Sequence, residues 1–189
     1  MRFSHALLVA GGVLVCGFAA SCKSSSKDSL EVQAGAVERV DFDGPTSYVF
    51  CGNAYVGAVP DADQVELAAR RGVELVLSIG PVGSGLSDEA LDRARWLELQ
   101  VERVHFDGSV PTDLDVQRAL DWMTAERRGR VLMHSTQGGW AAGMLAIARV
   151  ECMGVEPTEA LAEARHAGLD PGPQETFIIE RLGLGTFER

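Results

Sequence analysis

Positive charge is scarce in this 189-residue chain. Lys and Arg together number 17 against 27 Asp and Glu, which gives a formal net charge of -10 at pH 7. A protein that binds nucleic acid through its phosphates needs a basic face, and an anionic membrane surface also attracts clustered Lys and Arg. The composition therefore excludes generic nucleic-acid binding and argues against attraction of the folded body to a membrane surface.

Metal and cofactor motifs are also missing. No Cys-x-x-Cys or His-x-x-x-His spacing occurs, and the four cysteines are too few for a disulfide-stabilised scaffold. The Gly-rich run at residues 80–85 has neither the Gly-x-Gly-x-x-Gly spacing of dinucleotide-binding loops nor the Lys of a P-loop, so we expect it to form a flexible rim. We expect no metal site and no cofactor.

The N-terminal apolar run, residues 6–20, is shorter than the roughly 18 residues that span a bilayer. It follows Arg2 and precedes small residues, the pattern of a secretory signal peptide. Its end, Ala19-Ala20-Ser21-Cys22, resembles a bacterial lipobox with Ala19 where Leu is usual. The resemblance implies a signal peptide over residues 1–21, cleavage before Cys22 and lipid attached to the Cys22 sulfur. A secreted protein cut near Ser21 is the alternative.

The mature chain then divides into a tether and a domain. Residues 22–36, with the lipidated Cys22, are Ser-rich and predict a flexible tether, and residues 37–189 form the domain. This organisation places the protein in the bacterial cell envelope, anchored to the membrane through the Cys22 lipid and facing the periplasm or the exterior. Cys51 and Cys152 could pair outside the cytoplasm, but we expect two separate buried thiols.

Within the domain, short apolar runs alternate with amphipathic segments. Strands are predicted at residues 46–50, 55–59, 73–79, 101–106 and 130–134. Helices are predicted after the caps Asp61, Ser87 and Thr112, from Gly138, at Pro157 and over residues 174–182. The alternation predicts a single α/β domain, a central and mainly parallel sheet flanked by helices on both faces.

One strand–loop–helix stretch, residues 131–144, carries the chemical information. A buried strand ends at His134, a tight loop with Gly138 and Gly139 follows, and a helix begins directly after it. Such a loop turns backbone N–H groups inward, and the helix start adds a partial positive charge. The stretch therefore predicts a cradle for an anion at the carboxyl edge of the sheet, where α/β proteins usually bind ligands.

The chain resembles the cysteine-dependent, dual-specificity and tyrosine phosphatases, in particular the bacterial branch related to the phosphatase domain of beta-lactamase-hydrolase-like proteins. The resemblance covers most of residues 46–183 and includes residues 55–60, 72–79, 104–107, 111–112, 131–144 and 160–171. It implies a protein-tyrosine-phosphatase-like fold. In that family a Cys thiolate attacks phosphorus, loop amides and an Arg hold the phosphoryl oxygens, and an Asp protonates the leaving group.

The chain departs from this pattern at two positions. His134 and Gly138 match the family's His and Gly, but Ser135 stands at the nucleophile position. The Arg position holds Trp140 in a shorter loop spacing or Ala141 in a longer one, and the sequence does not choose between them. A serine hydroxyl stays protonated where a thiol ionises, and loss of the guanidinium removes a bidentate clamp on the phosphoryl group.

Several other residues are assigned by the same resemblance. Asp107 matches the general acid, with Asp113 and Asp115 as rivals, and His134 is expected to be a core histidine bonded to loop backbone. Trp140 is expected to plug the cradle, or else to offer a stacking surface to a ligand. The expected ligand-binding residues lie at the strand end and in the loop: His134, Thr136, Gln137, Gly138, Gly139 and Trp140.

Three functions follow from these residues. We expect a pseudophosphatase, a binding or scaffolding module whose loop holds a phosphate-like anion or a phosphorylated partner without efficient catalysis. The alternative is a residual phosphoric-monoester hydrolase that uses Ser135, Asp107 and a cation from elsewhere, such as Arg149 or Arg165. A purely structural envelope protein with a relic loop is the third.

Overall fold

The computed structural model describes residues 38–43, 48–51, 53–125 and 129–185. The predicted signal peptide, Cys22 and the tether lie outside the described residues. Among the described helices, none combines the length and the apolar character needed to cross a bilayer.

Six strands in the described part of the chain form one mixed sheet. They are β1 (Glu38–Val40), β2 (Tyr48–Cys51), β3 (Ala54–Ala58), β4 (Val73–Pro81), β5 (Gln100–Phe106) and β6 (Arg130–Ser135). Their order across the sheet is β1-β2-β3-β6-β4-β5. The first two pairings are antiparallel, whereas β3, β6, β4 and β5 run parallel, so the carboxyl ends of four strands meet at one edge.

Six helices in the same part of the chain follow the strands. They are α1 (Ala62–Arg70), α2 (Asp88–Trp96), α3 (Asp113–Thr124), α4 (Gly139–Met153), α5 (Pro157–His166) and α6 (Pro173–Arg181). The predicted caps are confirmed: Asp61 and Gln64 form a capping box on α1, Ser87 accepts the Ala90 amide on α2, and Thr112 caps α3. These side chains satisfy helix-start amides that would otherwise lack acceptors.

The sheet separates two layers of helices. Leu75, Leu77 and Met133 belong to the core cluster that also contains buried residues of α3, α4, α5 and α6. Val76 and Leu132 belong to the cluster that contains Ala68 of α1. Successive strand side chains point to opposite faces, so this alternation produces a core on each side of a buried parallel sheet. The predicted α/β fold is confirmed.

Helix α4 is the central helix of the larger layer. All of its residues from 139 to 149 are buried, including Arg149, whose side chain is 1% exposed and forms an ion pair with Glu163 of α5. A helix that is apolar all round is expected only where neighbours cover every side. The loop that begins α4 is therefore fixed by the core.

Three details differ from the sequence-based expectations. Strand β1 (Glu38–Val40) is not among the predicted strands. β4 continues to Pro81, so it includes the first two residues of the run that we expected to be a flexible rim. Cys152 is exposed and free, which corrects the expectation that it is a buried thiol.

Candidate oxyanion-binding loop

The loop between β6 and α4 occupies the carboxyl edge of the sheet. β6 ends at Ser135, Thr136 and Gln137 are exposed, and Gly138 caps α4 with a left-handed backbone (φ 86°). The Gly138 N–H donates to the Ser135 carbonyl at 3.2 Å, which closes the turn. A Cβ on Gly138 would lie 3.2 Å from the backbone carbon of Gly57 on β3, so both the conformation and the close approach favour glycine.

Four amides in this loop are unpaired within the described part of the chain. The N–H groups of Thr136, Gln137, Gly139 and Trp140 donate to no protein acceptor there. The helix-start amides among them are the ones that a helix leaves free, and they carry the positive end of the helix dipole. The arrangement is suited to an anion at the mouth of the loop.

Ser135 is buried at the end of β6, with 3% of its surface exposed. Its Oγ accepts a hydrogen bond from the Ala141 N–H at 3.3 Å, so the hydroxyl is held by the first turn of α4. No side chain of the described residues accepts its proton. The hydroxyl therefore has an amide donor beside it but no base that would make it a nucleophile.

His134 points to the opposite face of the sheet from Ser135. It alternates with Ser135 along β6 in the same way that Leu132 alternates with Met133, and each of that pair lies in a different core cluster. His134 is fully buried, and its Nε2 lies 2.7 Å from the Oγ of Ser78, its partner on β4. The predicted core histidine is present, but its bonded partner is Ser78 rather than loop backbone.

Burial determines the protonation state of His134. Desolvation, with a smaller contribution from the Arg103 guanidinium, lowers the pKa of His134 to about 4. The imidazole is therefore neutral at physiological pH and is already bonded to Ser78. It supplies neither charge nor a general base to Ser135.

The two candidate positions of the family's Arg both lie in the core. Trp140 is 3% exposed, and its indole packs edge-on against Phe106 at 5.3 Å and Phe177 at 5.6 Å between ring centroids. Ala141 is fully buried. The Trp140 side chain thus fills the core between the end of β5 and α6, and it offers almost no surface on which a ligand could stack.

The cations considered as replacements are already paired. The Arg149 Nε lies 2.6 Å from a carboxylate oxygen of Glu163, and the Arg165 Nε donates to Glu175 at 2.6 Å. Each guanidinium is therefore compensated by its own carboxylate. Freeing either of them for a ligand would leave that carboxylate without its partner.

The three candidate acids have different surroundings. Asp113 pairs with Arg181 at 2.5 Å, and Asp115 belongs to the α3 capping box, where the Thr112 hydroxyl bond is the main cause of its lowered pKa. Asp107 is exposed in the segment directly after β5 and makes no hydrogen bond or ion pair with the described residues. Of the three, Asp107 is the carboxylate without a structural role in the described fold.

The sequence predicts no role for two residues near the loop, Ser78 and Gln174. Ser78 lies within an apolar strand, where a single hydroxyl is a weak sign of a buried polar partner. Gln174, at the start of α6, touches the start of α4, so closely that a Cβ on Gly139 would collide with the Gln174 Oε1. Nothing local in the sequence connects these two distant positions.

Comparisons with known proteins identify the fold. No family model matches the chain, and no curated protein matches it. Solved structures do match. P. aeruginosa TpbA is 23% identical with a TM-score of 0.58, covering 73% of this chain and 84% of that chain. Tk-PTP in its active form is 18% identical with a TM-score of 0.57, covering 76% and 95%.

A yeast structure gives the same result. The core catalytic domain of the PP-IP phosphatase SIW14 from S. cerevisiae, in complex with citrate, is 17% identical with a TM-score of 0.56, covering 67% of this chain and 79% of that chain. These likenesses show that the domain has the fold of protein-tyrosine-phosphatase-like proteins. At these identities the likeness concerns the fold alone.

Proposed function

We propose that this protein is a pseudophosphatase: a phosphatase-like domain, anchored in the bacterial envelope, whose β6–α4 loop binds an oxyanion through backbone amides and does not cleave it. The observation that carries the proposal is the setting of Ser135. Its hydroxyl accepts an amide bond from α4 and has no base within reach, because His134 faces away and is bonded to Ser78.

Binding is supported by the free amides of the loop. Backbone donors at a helix start hold anions without any side chain, so loss of a nucleophile and a cation leaves this capacity in place. The ligand is accordingly a phosphate-like anion or a phosphorylated partner. We assign the contact to the four residues whose amides are unpaired in the described part of the chain: Thr136, Gln137, Gly139 and Trp140.

Two missing groups argue against catalysis: an activated nucleophile and a free cation. Each would serve a different part of the reaction. A protonated hydroxyl is a poor nucleophile, and no cation among the described residues is free at the loop to stabilise developing charge. Each loss costs on the order of 10²–10⁴ in rate, although such losses need not multiply. The alternative hydrolase, with Ser135 and Asp107, would need a cation that this loop does not hold.

Turnover and binding can be measured separately on the full chain. We expect no hydrolysis of an aryl phosphate above the buffer rate. We also expect inorganic phosphate to raise the thermal unfolding midpoint with a saturable dependence. Ser135→Ala should respond to phosphate as the wild type does, because the contacts are to amides. Sodium chloride at equal ionic strength is the control, since screening alone changes the stability of a protein with a net charge of -10.

Other outcomes would contradict the proposal. Hydrolysis that disappears in Ser135→Ala would establish the alternative enzyme. A midpoint that responds equally to phosphate and to sodium chloride would mean that the loop binds no oxyanion, and the domain would then be structural.

A further inference from the structure

Strand β5 forms one edge of the sheet in the described part of the chain, with β4 as its neighbour on the inner side. The Phe106 carbonyl accepts a hydrogen bond from the Val82 N–H at 3.3 Å, so the backbone of Phe106 faces β4. The backbone groups of successive strand residues point to opposite edges, so those of Val101, Arg103 and His105 point away from β4. These three residues present a row of donors and acceptors with no strand beside it in the described fold.

This edge has few of the features that prevent strand pairing. Natural edge strands are commonly very short, or are interrupted by proline or by a bulge. β5 is seven residues long, contains neither proline nor glycine, and pairs with β4 in continuous register. Its outer edge is therefore able to pair with a further strand.

An open groove of about 600 Å³ lies beside this edge. It is lined by apolar and charged residues of α2, of β5 and of the turn between them: Leu91, Arg95, Leu99, Val101, Glu102 and Arg103. Val101 packs against the core cluster that contains Ala90 and Ala94 of α2, so its side chain points to the face of the sheet that α2 covers. Arg103, two residues further along β5, points to the same face. We call this feature the β5–α2 groove.

Arg103 determines the charge preference of the β5–α2 groove. It is exposed and makes no hydrogen bond or ion pair with the described residues. Arg95 pairs with Asp92 at 3.2 Å, but both are exposed, so this ion pair contributes little. Glu102 accepts a hydrogen bond from Gln100 at 3.1 Å, and alternation along β5 places both on the opposite face from Arg103. A guanidinium without a carboxylate partner, beside apolar side chains, is suited to a carboxylate that another molecule supplies.

We propose that the β5 edge binds an extended peptide segment of another protein as an added strand. The segment places an apolar side chain against Val101 and, two residues away, a carboxylate on Arg103. In this mode the main chain supplies hydrogen bonds, and the groove selects alternate side chains. The proposal is independent of the proposed oxyanion site, because the residues that line the groove belong to α2, β5 and the turn between them.

A short peptide tests the groove in the full chain. The probe has the sequence Thr-Val-Thr-Glu-Thr-Val-Thr, with a fluorescent label at its N-terminus and an amide at its C-terminus. Because this sequence is the same in both directions, the peptide can pair with β5 in either orientation. We expect saturable binding by fluorescence anisotropy. The peptide with Lys in place of Glu should bind at least about tenfold more weakly, since it loses a charge-assisted contact.

Variants at position 103 test the residue. Arg103→Glu should reverse the preference, so that the Lys peptide binds more tightly than the Glu peptide. Arg103→Gln removes the charge and should bind the two peptides equally. Arg39→Glu is the matched control, since Arg39 is exposed on β1 at the other edge of the sheet, and it should behave as the wild type does.

Peptides with blocked backbone amides test the main-chain pairing. One version of the probe is N-methylated at Val and Glu, and the other at Thr, so each loses the donors along one of its edges. Only one edge of an added strand faces β5, so we expect one version to bind as the unmethylated probe does and the other to lose binding. Equal binding of the two versions, whether retained or lost, overturns the proposal.

Four other results also overturn it. They are absence of probe binding, an unchanged preference in a folded Arg103→Glu, displacement of the probe by phosphate, and binding that appears only when the protein is diluted. Displacement by phosphate would place the probe at the β6–α4 loop, and dependence on dilution would place a second copy of the chain on the β5 edge. Should Arg103→Glu unfold, Arg103→Gln decides: a retained preference for the Glu peptide overturns the proposal. A wild type that binds the probe but does not respond to phosphate contradicts the proposed function alone.

Discussion

At the scale of single residues, His134 and Ser135 are neighbours on β6 but make contacts on opposite faces of the sheet. Ser135 presents its hydroxyl to the first turn of α4, whereas His134 presents its ring to Ser78 on the other face of the sheet. Adjacent residues of a strand point to opposite faces of the sheet. The side chains of His134 and Ser135 are therefore neighbours in sequence, but they cannot act together on one ligand. A histidine next to a serine in the sequence therefore does not make a nucleophile and its base.

The pH dependence of stability reports on His134. Burial lowers its pKa from 6.5 to about 4, so between these values the unfolded chain binds a proton that the folded chain does not. We expect the free energy of unfolding to fall as the pH is lowered from about 6.5 to about 4, by up to about 3 kcal/mol from this group.

The measurement is chemical denaturation at several pH values. His134→Gln should show a shallower slope across this range, whereas His166→Gln, at an exposed position on α5, should keep the wild-type slope. Equal slopes in His134→Gln and the wild type would show that His134 is not the titrating group.

At the scale of elements, the helix starts were predictable and the contacts between helices were not. Asp61 with Gln64, Ser87 and Thr112 act within three residues of themselves, so a cap can be read from a short stretch of sequence. The Ser78–His134 bond, the burial of Trp140 and the approach of Gln174 to Gly139 join distant positions. Those contacts depend on the order of strands and on how helices pack, which no local pattern encodes.

The β6–α4 turn depends on Gly138. Its left-handed backbone and its approach to Gly57 both penalise a side chain, so we expect Gly138→Ala to destabilise the domain by more than about 1 kcal/mol. Gly154 is the control, since it ends α4 with a similar backbone (φ 70°), and a Cβ added there would have no described atom within 4 Å. Gly154→Ala should lose less stability than Gly138→Ala, because it carries only the cost of the left-handed backbone.

Denaturant unfolding of both variants provides the comparison. An equal loss of stability in the two would mean that the approach to Gly57 contributes nothing, and the turn would then be set by backbone conformation alone.

At the scale of the whole molecule, the acidic charge and the proposed anchor act together. A body with a net charge of -10 gains nothing from an anionic bilayer, so membrane attachment in our proposal depends on lipid at Cys22. We expect the full chain, made in a bacterium, to partition into the detergent phase. Cys22→Ala should move it to the aqueous phase, and Cys16→Ala should leave the partition unchanged.

Partition of Cys22→Ala with detergent would place the attachment elsewhere. Loss of detergent partition in Cys16→Ala as well would point to a general failure of export rather than to a lipidated cysteine. A wild type found only in the aqueous phase would favour the secreted alternative.

The enclosure of α4 has a consequence for how this loop is inherited. Residues 139–149 are buried on every side, so selection for a folded domain alone preserves the start of the helix and the turn that leads into it. In our proposal, a mutation that erased the anion-binding geometry would also cost the fold, so the geometry would persist without catalysis. A domain built in this way keeps a ready recognition surface, and its ligand can change without any change in architecture.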